Sequence, residues 1–433
     1  MSLFKCFGCI IGTVLASCYY FPFALAAFPV VNSKMVMALV GLLILIIDRI
    51  KKGDKDIDNG LIHLGLWALA LSFVSFLTST INNTHDYSFA TYIISMSVWL
   101  SGGYCLVKYI EVLHGGVDVQ KVASYLAFAC VMQCVLALVF NYNPALDNWS
   151  NSVFGGQAYM GVDTGERLHG IGCALDVAGF RFASVLIMLT FLMYIEKGKS
   201  NNLRLYVYLL MFAFIVVVGN MISRSTIMGL ILSLVCLLIM AFKDKAGFGL
   251  IRKFTLMAIL IIPVIVVLYN TNEFFKEDIR FGFEGFFSLV EKGEWQTNSN
   301  DILKNMVIWP DDLGTWIIGD GYAANPSDKS LSCFDPYYIG PSFHGFYMNT
   351  DIGYCRFIFY FGLIGLVVFS GVLIQSALIC IKRFPKFKWM FALILLLNFI
   401  GWIKVSTDLF MVLAPFICIS KKEKESKYSS NFF

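Results

Sequence analysis

Apolar runs of about twenty residues recur along the whole chain, and this repetition limits what it can fold into more than any single motif does. As a helix, a run of that length reaches across a hydrocarbon core of ~30 Å. Lipid offers no water to backbone N–H and C=O groups, so a spanning segment must satisfy them within itself, as a helix does. The composition agrees. Of 433 residues 58% are hydrophobic and 14% charged, where soluble domains hold about 45–50% and about 25%, and the mean hydropathy is +0.72. The expected fold is an all-α polytopic membrane protein.

The apolar runs place about twelve transmembrane helices, near 7–29, 35–50, 61–80, 87–110, 122–140, 178–195, 205–219, 226–242, 254–269, 356–381, 389–402 and 405–419. The last two are separated only by the polar residues around Lys404, and merging them would move the C-terminus across the membrane. Four regions follow: membrane helices over 1–269 with a smaller outward loop at 141–179, a large loop at 270–351 between the ninth and tenth spans, closing membrane helices over 352–419, and a tail over 420–433. Lys and Arg collect in cytoplasmic loops. Here they follow the even-numbered spans, as at Arg49 and Lys51, Lys197 and Lys199, Arg252 and Lys253, Lys382 and Arg383, and again in the tail at Lys421 and Lys422. Both termini are therefore expected in the cytoplasm and both large loops outside. The N-terminal stretch ending Ala24-Leu25-Ala26 resembles a signal segment, but its apolar part is long for one.

The net charge of +4 belongs to these basic loops, and no basic stripe with interleaved aromatics points to a nucleic acid. The 12 Cys lack the paired spacing of a metal site. Cys173 and Cys333 lie in outward segments and could pair in an oxidising compartment. Residues 281–291 could form an amphipathic helix on the membrane surface, with Phe283, Phe286 and Phe287 dipping in.

Chemistry is expected on the outward side. A loop as long as 270–351 carries either a function or structure of its own. Arg167, Arg181, Arg224, Arg280 and Arg356 stand in or beside the outward segments. Arginine near a membrane is costly and marks a function, a partner or a snorkelling anchor. Arg224 lies in Ser223-Arg224-Ser225-Thr226, with no acid between 211 and 242 to neutralise it. Its guanidinium can grip a phosphate with two parallel N–H donors, or it can snorkel to lipid headgroups. Arg356 suits a membrane-edge anchor. His344, in Pro341-Ser342-Phe343-His344-Gly345, can take a proton from a hydroxyl near neutral pH. Asp351 can act as a base or cap the helix that follows.

Four short motifs run in order: Arg167-Leu168-His169-Gly170 leading to Gly179-Phe180-Arg181-Phe182, then Asn220-Met221-Ile222-Ser223-Arg224-Ser225, then Ile318-Gly319-Asp320-Gly321, then His344 with Asp351-Ile352-Gly353-Tyr354 and Tyr360-Phe361-Gly362-Leu363-Ile364-Gly365. Their order, over residues 167–369, resembles the O-antigen polymerase and O-antigen ligase superfamily of bacterial envelope proteins. Ligases of that family commonly carry His followed by Asn; Gly345 follows His344 here, and the last block looks most like the polymerase branch.

The resemblance implies a metal-independent, inverting membrane glycosyltransferase of the bacterial inner membrane, with no cofactor. Its donor would be an undecaprenyl-pyrophosphate-linked oligosaccharide, and its acceptor a sugar hydroxyl of another lipid-linked repeat unit on the periplasmic face. Arg167, Arg224, Arg280 and Arg181 would bind the pyrophosphate, and His344 would serve as base, with Asp351 the second choice. Trp295, Trp309, Trp316, Tyr337 and Tyr338 would line the glycan cavity. Membrane lipid and a chain-length regulator are the further partners implied. A ligase joining glycan to lipid A–core would use the same cations. A lipid-linked oligosaccharide flippase, which places charges near the membrane midplane, is the alternative from another functional class.

Overall fold

The computed structural model describes residues 3–52, 58–154, 168–196, 203–243, 245–329, 333–338, 340 and 345–420. Among the described residues there are seventeen α-helices. In order these are α1 (Leu3–Tyr20), α2 (Ser33–Lys52), α3 (Asn59–Ile81), α4 (Tyr92–His114), α5 (Val119–Tyr142), α6 (Pro144–Phe154), α7 (Leu175–Glu196), α8 (Leu203–Ile222), α9 (Thr226–Lys243) and α10 (Lys245–Thr271). Four short helices follow: α11 (Glu273–Gly282), α12 (Glu284–Lys292), α13 (Asn298–Asn305) and α14 (Leu313–Ile318). The chain closes with α15 (Gly353–Arg383), α16 (Lys388–Gly401) and α17 (Phe410–Ile417).

Seven of these, α3, α4, α5, α7, α8, α10 and α15, are long and apolar enough to cross a membrane, and the chain is a multi-pass membrane protein. The basic residues Lys55, Lys197 and Lys199 and the tail from 421 lie outside the described residues. Side-chain caps set several boundaries. Asp58 accepts from the Gly60 amide, Asp118 from Lys121 and Asn272 from Phe275, each at the start of a helix. Gly115, left-handed at φ 66°, ends α4. The buried α7 is the centre of the bundle, packed on α5, α8, α9 and α16, while α10 rides on its periphery.

Three expectations are corrected. The first span, expected to reach residue 29, stops at Tyr20. Pro22 has no amide to continue the ladder and disfavours helical backbone at Phe21. The chain turns instead into an antiparallel hairpin of β1 (Ala24–Leu25) and β2 (Phe28–Asn32), with Ala24 opposite Asn32. The expected surface helix over 281–291 begins only at Glu284, and of its phenylalanines Phe283 and Phe287 pack on the protein core while Phe286 meets Trp295, ring centroids 4.9 Å apart. None of the twelve cysteines is in a disulfide: Cys173 is buried in the main helical core with Cys130 and Cys134, and Cys333 is buried in the loop.

The closing helices differ in kind from the others. α16 has 14 residues and α17 has 8, lengths of ~21 and ~12 Å at 1.5 Å per residue. Neither alone covers a hydrocarbon core of ~30 Å. All eight residues of α17 are buried, and the non-helical link of residues 402–409 is fixed within the bundle, with Trp402 fully buried and its Nε1 donating to the Thr407 carbonyl at 2.6 Å. Irregular backbone is tolerated in a membrane domain only where protein surrounds it or water reaches it.

α15 is also interrupted. At Phe361 and Gly362 the backbone leaves the helix, Gly362 at φ 64° and ψ −170°. The carbonyls released there are taken up by the loop: the Asp320 amide donates to the Phe359 carbonyl at 2.6 Å and the Gly321 amide to the Tyr360 carbonyl at 3.0 Å. The other edge of the same strap is bonded to the end of α3. The Thr78 hydroxyl donates to the Ile318 carbonyl at 3.0 Å, the Asn82 side-chain Nδ2 to that of Gly319 at 2.8 Å, and the Thr84 hydroxyl to that of Gly321 at 3.0 Å.

A Cβ on Gly362 would run into the Ile317 carbonyl, whereas one on the left-handed Gly115 would meet nothing within 4 Å. Gly115→Ala is therefore expected to cost about 1 kcal/mol. Gly362→Ala adds a steric clash to a backbone strain of about 1–3 kcal/mol. Melting curves of the two purified variants check this: Gly362→Ala should fall well below Gly115→Ala, and equal curves would mean the strap yields.

Candidate functional site

The four sequence motifs fall into two touching pairs. One is the strap just described, where Gly319-Asp320-Gly321 clamps Tyr360-Phe361-Gly362. Its polar groups are engaged in structure: Asp320 accepts from the Thr315 hydroxyl at 2.5 Å and the Tyr347 hydroxyl at 3.0 Å. The other pair gathers charge. Gly179 of α7 lies against the α8–α9 turn so closely that a Cβ would come within 2.9 Å of the Ser225 Cβ. This approach lets Asp176, in the first turn of α7, meet both serines that flank Arg224.

Asp176 Oδ1 accepts from Ser223 Oγ at 3.3 Å, from Ser225 Oγ, and from Lys404 Nζ at 2.7 Å. Lys404 also donates to Ser225 Oγ at 3.1 Å. Arg224 forms an ion pair with Glu284 of α12, and its guanidinium lies 4.6 Å from the Phe281 ring centroid. Glu284 is delivered by close backbone packing, since a Cβ on Gly282 would stand 2.9 Å from the Asn220 carbonyl carbon. Asp351, just before α15, is beside this group and within electrostatic reach of Arg356, Asp176 and Lys404. Burial pushes its carboxyl above the ordinary range and the charge of Asp176 adds to this, while Arg356 and Lys404 oppose it.

The other expected residues are distributed as follows. Arg167 and His344 lie outside the described residues. Arg181 is buried on α7 but turned toward α1, its guanidinium 5.6 Å from the Phe21 ring and within electrostatic reach of Lys34. Arg280 is held by Glu291 at 2.9 Å and by the Tyr269 hydroxyl at 3.1 Å, which fastens α11 to α12 and α10. Arg356 stacks on Phe346 at 3.4 Å.

The expected aromatic lining is split among several places. Trp309 stacks on Trp316 at 5.7 Å, Trp295 meets Phe286, Tyr338 joins Tyr322 and Tyr347, and Tyr337 is exposed.

Asp176, Glu284, Lys404, Lys34 and Asp408 were not singled out by any motif. Asp408 bonds the Tyr92 hydroxyl at 2.9 Å from the same link that carries Lys404. For Lys404 and Asp408 a signal exists in the sequence: both are isolated charges between apolar runs, and such charges are expensive in a membrane. The partners could not be read off, because Lys404 is 228 positions from Asp176 and Arg224 is 60 from Glu284.

In the neighbouring α11, the Asp278 carboxyl is pushed up to about 6, chiefly by burial, with Glu277 adding and a hydrogen bond from Asn141 at 2.9 Å opposing. The folded chain thus holds a proton there up to about pH 6, while the unfolded carboxyl loses it near pH ~4. Stability from this group is complete below the lower value and is lost as pH rises through the upper one. Asp278→Asn should therefore melt like the parent at pH 4 and higher than it at pH 7; a lower melting point at pH 7 would contradict this.

Among the described residues no three His, Cys, Asp or Glu side chains come together as a metal site requires. The site's chemical capacity is that of two fixed cations, two hydroxyls and the three carboxyls of Asp176, Glu284 and Asp351. No family model, curated protein or solved structure matches the chain.

Proposed function

We propose that this protein is a surface-polysaccharide polymerase of the O-antigen type. In this reading it lies in the bacterial inner membrane with about twelve crossings, cytoplasmic termini and a periplasmic loop over 270–351. It moves an undecaprenyl-pyrophosphate-linked glycan onto the sugar hydroxyl of another lipid-linked repeat unit. The observation that carries the proposal is the gathering of Arg224, Lys404, Ser223, Ser225 and Asp351 where the ends of α7, α8 and α9 meet the loop helices. Such a set suits a reaction whose leaving group is a diphosphate.

In the proposed step a base takes the proton of the acceptor hydroxyl, and the oxygen attacks the anomeric carbon from the side opposite the diphosphate. The C–O bond to the diphosphate breaks, and undecaprenyl diphosphate leaves with the bonding pair, inverting the anomeric centre. Arg224 is aimed at the negative charge developing on the leaving group. Asp351 is the base within the described residues; burial raises its proton affinity, which suits a group that takes a proton from a hydroxyl. His344, the first choice of base from the sequence, lies outside the described residues.

The test is the size profile of surface glycan in a strain lacking the gene. Single repeat units on the final anchor, restored to a ladder by the wild-type gene, support a polymerase. Polymer that stays on the undecaprenyl carrier means a ligase.

One observation favours transport as a second reading: the broken α16–α17 link holds Lys404 and Asp408 inside the membrane domain, as discontinuous helices of transporters do. Repeat units accumulating on the cytoplasmic face would establish it.

A further inference from the structure

Asp176 presents one carboxylate oxygen to an ammonium and two hydroxyls at once. Those donors come from separate parts of the fold, the α8–α9 turn and the α16–α17 link. Both are irregular backbone held by the surrounding helices, and Gly179 leaves the space for the α8–α9 turn to approach Asp176. An ammonium, two hydroxyls and an adjacent guanidinium form the donor set that diphosphate oxygens require. A carboxylate is a weaker anion of similar geometry. Neither ion of the pair is sealed in: the side chains of Lys404 and Asp176 are 22% and 27% exposed. An exchange of anions at Lys404 therefore needs no opening of the core.

We propose that Asp176 is a resident counter-anion that occupies a diphosphate cradle made by Lys404, Ser223 and Ser225 beside Arg224, and that it yields these donors to an incoming polyprenyl diphosphate. The proposal deepens the reading above by assigning a leaving-group residue that no motif contains. It also gives the Lys404 ammonium an opposite charge when the site is empty. Binding energy is gained only as the difference between the diphosphate and Asp176 as partners for Lys404, and this favours release of the product over a permanently occupied site.

The experiment is equilibrium binding to the purified full chain in detergent, with farnesyl diphosphate and inorganic pyrophosphate as separate probes, for wild type, Lys404→Gln and Asp176→Asn. Lys404→Gln is expected to weaken binding about ten- to a hundredfold, the worth of a charged hydrogen bond. Asp176→Asn is expected to tighten it, because the competing anion is gone. Tightening with farnesyl diphosphate alone identifies the lipid-linked form as the ligand, and tightening with both identifies the diphosphate group itself.

A purely structural ion pair gives the opposite pattern: both variants melt lower and neither changes affinity, or Asp176→Asn binds more weakly. Either result overturns the proposal, as does failure of the wild type to bind either probe. Binding does not depend on which reaction follows. An intact glycan ladder in the null strain, with the binding pattern as expected, would remove the polymerase reading and leave the cradle standing.

Discussion

Replacing Arg224 with alanine should slow repeat-unit addition by about 10²–10³-fold, the loss that follows removal of one fixed donor from a developing anion. The donor substrate should still bind, since Lys404 and the two serines remain. Two further variants separate chemistry from packing. Arg224→Lys keeps a charge but not the forked pair of donors and should fall in between. Glu284→Gln releases the guanidinium from its partner in α12 and should keep most of the rate. The measurement is the initial rate of ladder extension at matched amounts of folded protein. If Glu284→Gln is as slow as Arg224→Ala, the Arg224–Glu284 pair serves to hold α12 against the membrane helices, and Arg224 is not a substrate ligand.

The second large effect is expected at Asp351. Loss of a positioned general base typically costs 10²–10⁴-fold, and Asp351→Asn should fall in about that range. The pH dependence carries the diagnosis. A base works in its deprotonated form, and burial raises the Asp351 carboxyl above its ordinary range. The wild-type rate should therefore climb as pH rises through that raised value and then level off. Asp351→Asn should lose this limb along with the rate. An unchanged pH limb in the variant would transfer the role to another group, with His344 first in line.

Among the described residues, seven of the twelve expected spans are helices long and apolar enough to cross a membrane, because hydropathy reports directly on segments that avoid water. The long helices α3, α5, α7, α8, α10 and α15 fall where the apolar runs indicated. Hydropathy could not say which helix is central. α7 and α10 have similar values, 1.8 and 2.3, yet 89% of one and 6% of the other is buried in the protein. Lipid tails are as apolar as leucine, so a helix buried in protein and one facing lipid look alike in sequence. The broken α15 was hidden for a related reason: Phe361-Gly362 sits in an unbroken apolar run, and the groups that satisfy its carbonyls come from Asp320 and Gly321 in a different segment.

Of the residues singled out in the sequence, Arg224 and Asp351 lie near one charged cluster, whose other members Asp176, Glu284 and Lys404 no motif contains. The absence of a local acid near Arg224 was a sound observation, but Glu284 supplies that acid from the long loop. Arg280 and Arg181 were grouped with Arg224 because all three are outward arginines. The fold gives Arg280 to Glu291 and turns Arg181 toward α1. Charge type alone carries no direction, whereas the facing of a helix side chain does.

The most direct test of the polymerase reading is reconstitution of the purified chain in liposomes with lipid-linked repeat units and no other protein. The expected result is product longer by whole repeat units, with undecaprenyl diphosphate released in equal amount and both lost in Arg224→Ala. Repeat units that change leaflet without growing, or that remain unaltered in the presence of folded protein, would contradict it.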